Sequence, residues 1–103
     1  MTWAERTCDW EKLVLLIQSE INANCNIIPS SRIDDIQHYL DHGEYSMAFE
    51  YLYLEIAERD NSQFTLGVDK AKEIAIFFEL NNESECMIDG KFWIKFQNFL
   101  ESK

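Results

Sequence analysis

At 103 residues, with 47 % hydrophobic and 14 % aromatic content, the chain has room for one core and is too apolar for a disordered segment. Nineteen acids against nine bases leave a net charge of −10. That excess works against direct binding of nucleic acid or of an anionic membrane, and it favours a basic protein partner drawn in by long-range attraction.

One Pro and three Gly leave little punctuation and predict an all-α domain spanning residues 1–103, with about five helices. The first is predicted from about Trp3 to Ala23, opened by a Thr2/Glu5 capping box. Trp3, Trp10, Leu13, Val14, Ile17 and Ile21 share one face of it at 3.6-residue spacing. Pro29-Ser30-Ser31 reads as the next start, with Ser31 and Asp34 acting at the N-terminus of a helix over Ser31–His42. Ile33, Ile36 and Leu40 point inward there, while Asp34, Asp35, His38, Asp41 and His42 point away. Gly43 stands where a C-terminal cap belongs. A third helix over Glu44–Arg59 follows at once, so the two should fold back as a hairpin packed by the N- and C-terminal helices. Tyr45, Ala48, Phe49, Leu52 and Ile56 make its core face, and Glu44, Tyr51, Glu55 and Glu58 an adjoining flank. Met47 and Leu54 lie off the main stripe, as second-layer core or as an apolar patch within the acidic rim. A fourth helix is predicted over Leu66–Leu80 with Ala71, Ile74, Ala75 and Phe78 inside. The fifth covers Gly90–Ser102, with Asp89 as N-cap and an aromatic stripe of Phe92, Trp93, Phe96, Phe99 and Leu100. A β-hairpin about Asp89-Gly90 is the alternative for that last stretch.

The stretch Ile33–Glu58 carries seven carboxylates, at Asp34, Asp35, Asp41, Glu44, Glu50, Glu55 and Glu58, and no Lys or Arg. So one-sided a charge pattern reads as a docking face for a basic surface rather than as catalytic equipment. His38 and His42 have the i,i+4 spacing of two zinc ligands, but Tyr39 stands where a zincin has Glu, and surface histidines near a helix C-terminus explain them as well. No metal or cofactor is expected. Cys8, Cys25 and Cys86 show no zinc spacing and read as reduced thiols of a cytoplasmic protein. Nothing places an orienting group beside a Cys/His pair, and there is no phosphate-cradling glycine loop, so no enzymatic activity is expected. MTWAERTCDW has no apolar run, so no signal peptide is expected, and no segment is apolar for long enough to span a bilayer.

Within Ile28–Ile56 the residues Tyr39-Leu40, Asp41, His42-Gly43, Glu44-Tyr45, Ala48-Phe49-Glu50 and Leu52, preceded by Ile28-Pro29 and Ile33, resemble the central motif of bacterial toxin-immunity proteins of the Maf type, relatives of those in contact-dependent growth inhibition (CDI). The resemblance implies a cytosolic, non-enzymatic inhibitor of one cognate toxin domain, commonly a nuclease whose basic active site an acidic helical face covers in place of RNA or DNA. Asp34, Asp35, Asp41, Glu44, Tyr51, Glu55 and Glu58 are the expected partner-binding residues, in a one-to-one complex with no direct nucleic-acid or membrane contact. An acidic helical adaptor for another protein, relying on Tyr51, Met47 and Leu54, is the alternative, and a small metal-dependent enzyme using His38 and His42 a third.

Overall fold

The structure, a computed structural model, describes residues 10–103, and these form five α-helices without a strand. They are α1 (Trp10–Asn24), α2 (Ser30–Asp41), α3 (Tyr45–Ala57), α4 (Val68–Phe77) and α5 (Phe92–Glu101), with one 3-10 turn at Glu83–Glu85. The all-helical class, the hairpin of α2 and α3 and its packing by the outer helices are as the apolar periodicity requires. The hairpin alternative at Asp89-Gly90 is not what forms. The segment before Trp10, with the Thr2/Glu5 box and Cys8, lies outside the described residues.

The centre of the molecule is α3, which packs against each of the other four helices. Its side chains are accordingly buried nearly all round: Ala48, Phe49, Leu52, Tyr53 and Ile56 are sealed, and Leu54, Glu50 and Glu55 are buried with them. Leu54 therefore belongs to the core and to no surface patch. Tyr53 and Phe49 (ring centroids 4.7 Å apart) meet Phe96 of α5 edge-on, and Phe64 and Phe99 extend the cluster. This explains why the α5 stripe is so rich in phenylalanine. Trp93 on that stripe is half-buried, and Trp10, expected on the core face of α1, is 46 % exposed.

The turns follow from backbone chemistry. Gly43 (φ 76°) donates its N–H to the Leu40 carbonyl, and Glu44 donates to that of Tyr39 (2.9 Å), closing the end of α2 with two crossed bonds that a left-handed residue permits. The same cap closes α4, where Glu79 (φ 60°) donates to Ile76 and Leu80 donates to Ala75. At the start of α2 the expectation is corrected: Pro29 is the N-cap residue, and no side chain, Ser31 and Asp34 included, caps the helix. Asp89 does receive the Lys91 N–H (2.8 Å), but regular α5 begins only at Phe92.

Two loops are held from within by polar side chains. Glu20, fully buried on α1, accepts from the Tyr53 hydroxyl (2.6 Å), the Thr65 N–H (2.8 Å) and hydroxyl, and the Leu66 N–H. Asn24, one turn on, accepts from the Gln63 N–H and donates to the Gln63 carbonyl. Glu50, fully buried on α3, accepts the consecutive N–H groups of Met87, Ile88 and Asp89 at 2.8–3.0 Å. Burying a carboxylate is costly unless donors surround it, and here they do.

Candidate partner-binding surface

The face of α2 turned away from α3 presents Asp34, Asp35, His38 and Asp41, all exposed, because Ile36 and Leu40 take the inner face and fix the helix rotation. Glu44, also exposed, stands just past the hinge. Its backbone is fixed by the α2 cap, its carbonyl starts α3 by accepting from Ala48, and its side chain makes no capping bond. Asp41 accepts from Gln37 (2.9 Å), which is cross-bonded to Gln18 of α1. Among the described residues, no cation lies within ion-pairing distance of Asp34, Asp35, Asp41 or Glu44.

The other three expected residues separate from this group. Glu55 is buried and is corrected as a member of the open face: one of its oxygens receives both Arg32 and Arg59, each at 2.8 Å. The two arginines lie just outside the cation-free stretch and fold back onto it. Tyr51 is half-buried in the seam of the hairpin, where burial, then Asp35 and Glu55, raise its phenol above the ordinary value. Glu58 is exposed at the far end of α3, about 20 Å from Glu44 at 1.5 Å per residue. It lines a separate groove of about 500 Å³ together with Arg59, Asp60, Lys95 and Lys103, a mixed-charge setting. The exposed acids of the expected set are thus Asp34, Asp35 and Asp41 on α2 and Glu44 just past the hinge, with Tyr51 half-buried where Asp35 acts on it.

The residues considered for chemistry have other settings. The rings of His38 and His42 lie 4.1 Å apart, and His42 Nδ1 meets the His38 carbonyl oxygen (2.9 Å). Among the described residues, no group of three or more His, Cys, Asp or Glu side chains is arranged to hold a metal ion. Burial and the surrounding Glu50, Asp89, Glu83 and Glu85 push the Cys86 thiol up to about 11, which keeps it protonated and weakly nucleophilic at neutral pH. No helix among the described residues is long and apolar enough to cross a membrane.

Sequence reasoning missed four residues of consequence. Glu20 and Asn24 continue the buried stripe of Leu13, Ile17 and Ile21, and that register was the available signal for them. Glu50 gives no such signal. Trp10, read as core, instead lines a groove beside Glu44 with Tyr45, Met47 and Phe78. No protein-family model, curated protein or solved structure matches the chain.

Proposed function

We propose that this protein is an immunity protein that binds and neutralises a cognate bacterial toxin, a secreted nuclease domain, by laying the acidic side of its α2–α3 hairpin over the toxin's basic active-site face. The observation that carries the reading is a sorting of carboxylates. Glu20, Glu50 and Glu55 are turned inward and bonded, whereas Asp34, Asp35, Asp41 and Glu44 stand in solvent without a counter-charge among the described residues. A fold that can satisfy buried acids this fully has no structural need for the exposed row. The Maf-type resemblance of Ile28–Ile56 supplies the class of partner. Attraction between the two faces sets a fast association, and a few closely packed contacts near the hinge and Tyr51 set a slow dissociation.

The experiment starts from the neighbouring reading frame, where this reading expects a secreted protein with a basic C-terminal domain, and pairs the protein with that domain. Co-expression protects cells from that domain, and stopped-flow mixing gives the association rate. Asp34→Lys with Asp35→Lys lowers that rate about tenfold at low salt. Glu55→Gln, the control for an inward-facing acid, lowers it far less. Equal association rates for the double variant and the parent overturn the surface, and absence of protection overturns the function.

A further inference from the structure

The groove between the start of α1 and the α2–α3 hinge has a composition that selects one kind of guest. Trp10, Tyr45, Met47 and Phe78 are among the residues that line it, around an open space of about 330 Å³. Among the described residues, Glu44 is the one charged side chain lining it. The Trp10 ring is not loose: it lies 5.3 Å from Tyr45 and 5.7 Å from Phe77, centroid to centroid, yet remains 46 % exposed. A large aromatic held in place and half open to solvent is the kind of group around which interface energy concentrates. The Glu44 backbone is fixed through the two-bond cap that its N–H completes and the α3 start that its carbonyl makes, which sets where its side chain leaves the chain.

We infer that this groove is the anchor point of the interface and takes one arginine or lysine side chain of the partner, its aliphatic stem on Trp10 and Tyr45 and its charge on Glu44. The inference rests on the basic-partner reading above. Charge complementarity selects the occupant. An anionic side chain meets the like charge of Glu44. A wholly apolar one covers the walls but strips water from the Glu44 carboxylate without replacing it. A long cationic side chain satisfies both parts at once, through contact of its methylenes, attraction of its charge to the aromatic faces, and a charge-assisted bond to Glu44.

The test uses the full chain and two blocked peptides, tetra-arginine and tetra-citrulline, which share size and shape but differ in charge, the citrulline urea carrying a carbonyl acceptor where arginine has an N–H donor. In nitrogen-15 NMR titrations, tetra-arginine shifts the Trp10 indole N–H and the Glu44 and Tyr45 amides saturably, and tetra-citrulline does not. Glu44→Gln and Trp10→Leu each weaken the effect on the order of fivefold, with the spectrum elsewhere unchanged. Shifts confined to Asp34 and Asp35, with the groove silent, overturn the anchor while leaving the acidic face standing. Equal response to tetra-citrulline overturns the cationic occupant. No response to either peptide overturns the anchor, and the association-rate experiment then judges the acidic-face reading on its own.

Discussion

Glu79 and Gly43 occupy the same structural position at the ends of α4 and α2, both with positive φ, but only glycine takes that conformation without strain. Glu79→Gly is therefore expected to raise stability by about 1 kcal/mol in urea denaturation, less the extra freedom glycine gives the unfolded chain. A lower midpoint would mean that the Glu79 side chain contributes more than its backbone costs. Tyr53 gives a pH signature. Burial, then the charge of Glu20, hold its phenol well above 10.0, so the folded protein keeps that proton where the unfolded chain releases it. Its contribution is intact below pH 10 and is lost as pH climbs from 10 towards the folded value. The stability difference between the parent and Tyr53→Phe should thus be constant up to pH 10 and shrink above it, as read from denaturation midpoints at successive pH values. A difference that grows instead would mean the phenolate is accommodated beside Glu20.

At the scale of elements, the 87–89 loop behaves as an extension of α3, because Glu50 grips three of its main-chain N–H groups. Glu50→Gln replaces a charged acceptor with a neutral amide, so at least one buried donor loses its partner. A loss of about 3 kcal/mol is expected, with hydrogen exchange accelerating at Met87, Ile88 and Asp89 ahead of the α3 amides. Exchange unchanged at those three amides would show that the loop is held by other means. The helices themselves were legible: apolar spacing located all five, and Gly43 located the hinge. Their ends were less so, since α2 starts at Ser30 behind an N-cap Pro29, without the expected serine cap, and α5 starts later than Gly90. The grip of Glu50 was not legible, because an acid on a helix is by default a solvated one and the loop it serves lies 37 residues and more along the chain.

Across the whole molecule, charge by composition and charge by display are different quantities. Of the seven carboxylates between Ile33 and Glu58, Glu50 and Glu55 are consumed inside, and Glu58 stands among cations at the far end of α3. The remaining four are exposed, three on α2 and Glu44 just past the hinge. Sequence periodicity placed Asp34, Asp35 and Asp41 correctly, because α2 has a single buried side. It misplaced Glu55, because α3 is enclosed on every side and has no flank to spare. A localised face makes association salt-sensitive: raising ionic strength from 0.01 to 0.1 M shortens the screening length from about 30 to about 10 Å. The association rate of the parent should fall steeply over that range and that of Asp34→Lys/Asp35→Lys only slightly, and parallel salt curves would place the steering field elsewhere.

The inward grips of Glu20, Asn24 and Glu50 share one property: apart from the Thr65 hydroxyl, every loop atom they hold belongs to the main chain. Loops tied in this way owe their shape to the helices beneath them, so most outward side chains at positions 63–66 and 87–89 can be exchanged while the path of the backbone is kept. Such a scaffold can acquire a new recognition surface by successive single substitutions, each arising in a molecule that still folds.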